Sequence, residues 1–174
     1  MSFPEPPSGL SPDEFLDRFG GVYEHSPWVA EGVAARVATG QLDSLEALAA
    51  AMAAVVDGAG RERQLALIRA HPDLAGRAAL RGELTAESTG EQASAGIDQC
   101  SAEEFQRFQH CNDAYKAKFD FPFIMAVRGS DRHQILAAFD ARLGNDADGE
   151  FATAIEHIHR IARLRLEALA GGGR

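Results

Sequence analysis

Cysteine is scarce in this 174-residue sequence: only Cys100 and Cys111 are present, and they form no CxxC pair. Two isolated thiols cannot supply a disulfide scaffold or a cysteine-based zinc site, so we expect a reducing compartment. Long apolar runs are scarce too, since the longest, residues 47–56, is far too short to cross a bilayer. The sequence shows no secretory signal peptide and no peroxisomal C-terminal tripeptide. We therefore predict a cytoplasmic protein that does not contact a membrane.

Basic residues are outnumbered, because 17 Lys and Arg face 26 Asp and Glu, for a net charge of −9. Proteins that bind a nucleic-acid backbone need a basic surface, so no nucleic-acid partner is expected. A glycine-rich phosphate loop is also missing, since the three consecutive glycines at 171–173 end the chain instead of opening a helix. Hydrophobic residues are plentiful at 45%, which is enough for a packed core.

Capping and helix-breaking signals divide the chain into helices. Ser-Pro pairs at 11–12 and 26–27 and a capping box at 101–104 predict helix starts. The only strand-like run, residues 121–127, contains a proline and cannot build a sheet alone. We predict an all-α, single-domain bundle of about eight helices with one short extended segment near 121–127. Residues 1–9 are predicted to be a flexible arm, 10–170 the helical domain and 171–174 a flexible tail.

Two polar residues fall on predicted apolar helix faces. Arg165 lies within the apolar stripe of the last helix when each residue advances by about 100°. A buried arginine needs a partner, so an internal salt bridge and a receptor for an anionic substrate are both consistent with the pattern. Asn112 lies among the aromatic residues of the helix that begins near Ser101. It either bonds to backbone groups or contacts a ligand.

His71 is the most informative of the six histidines. Pro72 pushes it out of the preceding helix to a corner, where the helix dipole favours protonation. An imidazole can exchange a proton near neutral pH, although a His-Pro corner is also common in surface turns. Ser88 and Glu91 have capping-box spacing, which is a structural interpretation of Glu91. The alternative is a carboxylate that faces a substrate beside Gln92.

Metal chemistry is poorly supported. Glu156 and His159 have the E-x-x-H spacing of di-iron helix bundles, but such a site needs a second copy of the motif. His157 and His159 are two positions apart and face nearly opposite sides of a helix, so they cannot share one ion. No H-E-x-x-H motif is present. We predict that the protein binds no metal.

Five blocks of sequence carry a resemblance to a known family. In order along the chain they are residues 19–31 (FGGVYEHSPWVAE), 67–76 (LIRAHPDLAG), 87–92 (ESTGEQ), 112–124 (NDAYKAKFDFPFI) and 161–166 (IARLRL). Together they resemble 2-oxo-4-hydroxy-4-carboxy-5-ureidoimidazoline (OHCU) decarboxylase, the last of three enzymes that convert urate to allantoin. The resemblance covers residues 15–169. One departure is Asp120, where the family usually has glycine, and Asp tolerates the left-handed turn better than most residues.

The resemblance implies an all-helical carboxy-lyase that needs no cofactor, is often a homodimer, and acts on a small anionic ureidoimidazoline to give (S)-allantoin and carbon dioxide. It implies His71 as the catalytic histidine, with Glu91 as the acidic partner. The implied substrate contacts are Pro72, Ser88, Thr89, Gly90, Glu91, Gln92, Phe123, Ile124, Met125, Ala126, Val127 and Arg165. Two alternatives are an inactive helical binding module of the same fold and a decarboxylase or hydrolase for another ureido ring acid.

Overall fold

The structure is a computed structural model, which describes residues 2–76, 79 and 81–171. These residues contain eight α-helices and no β-strand, so the prediction of an all-α fold is confirmed. The helices are α1 (Pro12–Phe19), α2 (Trp28–Val37), α3 (Leu45–Asp57), α4 (Arg61–Ala70), α5 (Ala86–Ser94), α6 (Ala102–Phe119), α7 (Arg132–Arg142) and α8 (Ala147–Ala170). None of the described helices is long and apolar enough to cross a membrane.

Side-chain caps explain where several helices begin. The hydroxyl of Ser11 accepts the amide of Glu14, and that of Ser101 accepts the amide of Glu104, so both helices begin with a capping box, as predicted for residues 101–104. Asp131 caps α7 in the same way. The short helix α5 begins after Thr85, whose hydroxyl accepts the amide of the residue three positions later.

Residues 2–70 and 159–171 form one compact unit, which we call the first unit. Within it, α2 packs against α1 and α3. Gly32 permits this packing, since a Cβ atom there would lie 2.8 Å from a methyl carbon of Val55. The buried apolar side chains of this unit include Phe15, Phe19, Val33, Leu48, Met52, Ile68 and Leu166.

Residues 2–9 begin the first unit. Phe3 is buried and packs edge-on against Phe19, with ring centres 5.2 Å apart. Ser8 donates to Asp43 from its amide (2.8 Å) and its hydroxyl (2.7 Å). The Phe3 side chain thus packs into the first unit, although the proline-rich composition of residues 2–9 did not indicate this contact. The flexibility of the segment stays a prediction. Of the predicted tail, residues 172–174 lie outside the described residues.

Residues 71–158 form the second unit, in which α6 packs against α7. Its aromatic side chains cluster around Tyr115, whose ring centre lies 4.5 Å from that of Phe119 and 5.3 Å from that of Phe123. Phe123 stacks on Phe139 at 3.8 Å with an interplanar angle of 19°. The cluster fixes the irregular segment 121–127 against the faces of α6 and α7.

The turn between α6 and this segment depends on Asp120. Its φ is +63° and its ψ is 22°, and its amide donates to the carbonyl of Lys116 at 2.9 Å. This left-handed conformation ends the helix in the way a glycine usually does. The prediction that Asp120 accommodates the turn is confirmed.

Candidate active site

His71 lies immediately after α4, at the corner that Pro72 was predicted to impose. Only 8% of His71 is exposed, although a histidine in a surface turn would be well solvated. This burial argues against the surface-turn interpretation, because a buried polar ring normally has a hydrogen-bond partner or a functional role. It lies at the start of a loop, outside the described helices.

The backbone of this loop is held by Gln92 of α5. The amide oxygen of Gln92 accepts the N–H of Ala75 at 3.1 Å, and its amide nitrogen donates to the carbonyl of Asp73 at 3.3 Å. Ala75 has a φ of +51°, a left-handed conformation that costs a non-glycine residue about 1–2 kcal/mol. The two hydrogen bonds stabilise this unusual turn, so Gln92 shapes the loop that follows His71.

One face of α6 holds the same loop. Gln109 donates to the carbonyl of Ala75, Asn112 to the carbonyl of Leu74 at 2.8 Å, and the ammonium of Lys116 lies 2.6 Å from a carboxylate oxygen of Asp73. The spacing i, i+3, i+7 puts these three side chains on one side of the helix. Side chains of α5 and α6 therefore hold each of residues 73, 74 and 75 in the loop.

Asn112 makes one of the two contacts that the sequence left open for it. Its nitrogen bonds to the backbone, as the structural interpretation predicts. Its oxygen is buried and has no hydrogen-bond partner among the residues that the structure describes. An unsatisfied buried acceptor is uncommon, so this oxygen is available to a ligand donor.

The residues of segment 88–92 lie on two faces of helix α5, one buried and one exposed. Ser88 and Gln92, one turn apart, are buried, whereas Thr89 and Gly90 are exposed and Glu91 is half-buried. The capping-box interpretation of Glu91 is wrong, because α5 begins at Ala86 and the capping residue is Thr85. Residues 88–91 lie inside the helix. The role of Glu91 as an acidic site residue stays a prediction.

Side chains also hold the second predicted substrate segment, residues 123–127. Nη1 of Arg142 donates to the carbonyl of Ile124 at 2.7 Å, and the guanidinium lies 4.2 Å from the centre of the Phe123 ring. The N–H of Ala126 donates to Nδ1 of His157 at 3.2 Å. The segment therefore keeps a defined backbone position without belonging to a helix or a strand.

Arg142 is itself held by a buried carboxylate. Glu150 is fully buried and accepts from Nε of Arg142 and Nδ2 of Asn145, each at 2.9 Å, and from the hydroxyl of Tyr115. Burial acts to raise the pKa of Glu150, but these hydrogen bonds outweigh it and hold the pKa below its ordinary value. Burial and the bond to Glu150 raise the pKa of Tyr115, which stays a neutral donor.

Arg165 belongs to the first unit, in the C-terminal part of α8. Its Nη2 lies 2.8 Å from a carboxylate oxygen of Glu24, and the two side chains are only 6% and 1% exposed. Nη1 is also 3.5 Å from the carbonyls of Gly21 and Val22. The internal salt bridge weighed from the sequence is present, and it orients the guanidinium. A substrate contact by Arg165 stays a prediction.

A cavity of about 240 Å³ in the first unit is lined in part by Tyr23 and His159. The Tyr23 hydroxyl lies 2.9 Å from Nδ1 of His159, whose Nε2 lies 3.0 Å from a carboxylate oxygen of Asp57. Burial, followed by the charge of Asp57, raises the pKa of Tyr23, so the phenol is neutral and donates to the histidine. These three groups satisfy one another, and Glu46 and Arg163 also line the cavity.

Across the described residues, no three His, Cys, Asp or Glu side chains converge on a possible metal position. His157 bonds to Ala126 and His159 to Tyr23 and Asp57. The E-x-x-H histidine is thus engaged by two neighbouring side chains.

His71, residues 88–92 and residues 123–127 all belong to the second unit. Sequence reasoning missed the side chains that hold them, chiefly Gln109, Lys116, Arg142 and Glu150. Arg142 could have been found from the sequence, because it follows Ile135 and Phe139 at helical spacing and so lies on the buried face of α7. Arg165 lies on the apolar face of α8 in the same way. Glu150 gave none, since an acidic residue in the first turn of a helix is ordinarily a surface residue.

Comparisons with known proteins agree with these motifs. The OHCU decarboxylase family model matches residues 8–167. A 2-oxo-4-hydroxy-4-carboxy-5-ureidoimidazoline decarboxylase from Haloferax volcanii is 43% identical over 157 residues, which are 90% of this chain and 89% of that protein.

Two solved structures have a similar fold. The crystal structure of an (S)-allantoin synthase superposes with a TM-score of 0.74 at 32% identity, covering 94% of this chain and 52% of that one, so this chain spans about half of the synthase chain. An OHCU decarboxylase crystallised in the presence of (S)-allantoin matches in fold alone, with a TM-score of 0.61 at 22% identity, covering 74% of this chain and 82% of that chain. The chain belongs to the OHCU decarboxylase family.

Proposed function

We propose that this chain catalyses the cofactor-independent decarboxylation of 2-oxo-4-hydroxy-4-carboxy-5-ureidoimidazoline to (S)-allantoin and carbon dioxide, a step of urate degradation. The observation that carries the proposal is the buried His71, followed by a loop that side chains of α5 and α6 hold in place. Membership of the family supports it, as does the name of the Haloferax volcanii relative.

The chemistry can proceed without a metal or an organic cofactor. The bond between the ring carbon and its carboxylate breaks, and the adjacent C=N of the imidazoline accepts the electron pair. A proton then adds to one face of the ring. Fixed geometry and donors aimed at the developing charge are the usual large contributors to such a step.

We assign the proton transfer to His71, since a general acid–base group typically contributes about 10²–10⁴-fold. In this assignment Glu91 fixes the hydroxyl or ureido group of the substrate and orients His71. Pro72 and the segment 88–92 line the ring, and backbone groups of residues 123–127 pair with its amide groups. Gln92 can take part because each end of its amide has capacity beyond the bonds to the loop.

Arg165 is assigned to the anionic charge of the substrate. Its ion pair with Glu24 compensates part of the guanidinium charge and fixes its direction. An oriented guanidinium keeps several N–H donors, which suit a carboxylate. Arg165 therefore acts as a directed donor in this proposal, and Glu24 is the group that directs it.

Two finer features complete the proposal. We expect a homodimer because the family that the chain resembles often forms one. Sedimentation velocity at micromolar concentration tests this oligomeric state. We expect a cytoplasmic location, and the free thiols of Cys100 and Cys111 support a reducing compartment.

The experiment that tests the function follows the handedness of the product. The substrate is generated in situ from urate, and circular dichroism is recorded with and without the protein, because spontaneous decay gives racemic allantoin. We expect rapid formation of one enantiomer without added metal. Racemic product at the uncatalysed rate would exclude the decarboxylase and favour a binding module of the same fold.

His71→Asn tests the proton transfer. The variant should remain folded and lose most of its turnover, by about 10²-fold or more. His110→Asn is the matched control, because His110 is an exposed histidine on the same unit. Full activity in His71→Asn would remove His71 from the proposed role.

A further inference from the structure

Hydrogen bonds within the chain hold one backbone group of Ile124 and one of Ala126. The carbonyl of Ile124 accepts from Arg142, and the N–H of Ala126 donates to His157. Between them, the N–H and carbonyl of Met125 have no hydrogen-bond partner among the residues that the structure describes. An N–H and a carbonyl that are left unpaired on a residue between two held neighbours are positioned to bond with something else.

The two fixing groups hold the segment from different helices. Arg142 lies near the end of α7, is bound by the buried Glu150, and stacks over Phe123. His157 is on α8, within the second unit. The carbonyl of Val127, just beyond, accepts the amide of Ser130 at 2.9 Å. Residues on both sides of Met125 are therefore immobilised.

We infer that Arg142 and His157 are positioning residues, which hold residues 124 and 126 so that the N–H and carbonyl of Met125 pair with an amide-type group of the ligand. The ligand class is a small molecule that carries a neighbouring N–H and C=O, such as a ureido group or a ring amide. The inference rests on the proposed function, which places residues 123–127 at the substrate.

The pairing has a clear chemical basis. A peptide N–H and carbonyl on one residue offer a donor and an acceptor side by side, as an exposed strand edge does when it captures a peptide. Alignment depends on how firmly that residue is held, because a displacement of 1 Å can lower a rate by about 100-fold. His157 thus acts through Ala126 and does not contact the substrate.

His157 can be tested more safely than Arg142, since loss of a buried charge endangers folding. His157→Leu removes the acceptor at the δ position, whereas His157→Asn restores an acceptor atom there. We expect His157→Leu to raise KM by about 10-fold or more while the protein stays folded, and His157→Asn to recover most of that loss. His110→Leu, on the exposed face of α6, is the control for a surface histidine.

A direct readout uses (S)-allantoin as the probe. In a ¹⁵N-labelled protein, the amide of Met125 should shift on titration with (S)-allantoin, and the same titration of His157→Leu should show a weaker shift. Unchanged KM in His157→Leu, or a Met125 amide that does not respond in the wild-type protein, would overturn the inference.

These outcomes separate the inference from the proposed function. If the wild-type protein gives racemic product, the proposed function fails by itself. If the wild-type protein gives one enantiomer while His157→Leu and His157→Asn behave alike, the function stands and the positioning role is wrong.

Discussion

Replacing the buried carboxylate of Glu150 should destabilise the protein strongly. In Glu150→Gln, the side chain keeps its length, but an amide NH₂ replaces one carboxylate oxygen. That group meets either the donor of Asn145, which binds one carboxylate oxygen, or the donors of Arg142 and Tyr115, which bind the other, and the guanidinium loses its counter-charge. Removing one partner of a buried pair costs about 3–5 kcal/mol, because the other charge is left uncompensated.

The measurement is urea and thermal unfolding of the wild-type and Glu150→Gln proteins at pH 7. For a chain of this size, about 2–4 °C of midpoint shift per kcal/mol gives a decrease of about 6–20 °C. Glu167→Gln is the control: it breaks an exposed pair with Arg163, whose side chains are 50% and 35% exposed, and should cost at most about 1 kcal/mol. A loss below about 1 kcal/mol in Glu150→Gln would refute the reasoning.

The same pair predicts a pH dependence. The pKa of Glu150 is lower in the folded protein than its ordinary value, so its stabilising effect is complete above the unfolded pKa of about 4.3. The effect is lost as the pH falls through the lower, folded pKa. The difference in unfolding free energy between wild type and Glu150→Gln should therefore shrink on the acid side, and a difference that grows below pH 4 would contradict the assignment.

Two further substitutions test the loops. Asp120→Val should destabilise the protein by about 1–2 kcal/mol, because a β-branched residue resists the left-handed conformation, whereas Asp120→Gly should stay within about 1 kcal/mol of wild type; equal losses in urea unfolding would contradict this. Gln92→Leu leaves the N–H of Ala75 and the carbonyl of Asp73 without the side chain that binds them, and should lower stability by about 1–3 kcal/mol together with turnover. Lost turnover at unchanged stability would make Gln92 a substrate contact alone.

Helix positions followed from the sequence where the signal was local. Ser11 and Ser101 opened helices because a hydroxyl and a carboxylate three positions further along the chain are enough to make a capping box. The start of α5 was missed because two overlapping hydroxyl patterns compete, and only the one at Thr85 is used. Local sequence does not say which of two possible caps the rest of the chain favours.

Site residues that depend on distant partners were harder to predict. Arg165 stood out because its charge falls on an apolar face, but the sequence could not choose Glu24 among 26 acidic residues. The bond between Asn112 and the carbonyl of Leu74 joins residues 38 positions apart. Such contacts depend on how helices pack. A sequence pattern can show that a buried polar residue needs a partner, but it does not identify that partner.

The buried charges of Arg142 and Glu150 follow from the irregular backbone of residues 121–127, which the proposed chemistry uses. A helix would satisfy the backbone groups of residues 124–126 internally and leave none of them for a ligand. Segment 121–127 avoids regular structure, so side chains must satisfy part of its backbone, and the guanidinium of Arg142 is long enough to reach it. That guanidinium is stable in the interior only with a counter-charge, which explains why Glu150 is buried. Glu150→Gln should therefore weaken (S)-allantoin binding as well as folding, and unchanged binding by the folded fraction would separate the two.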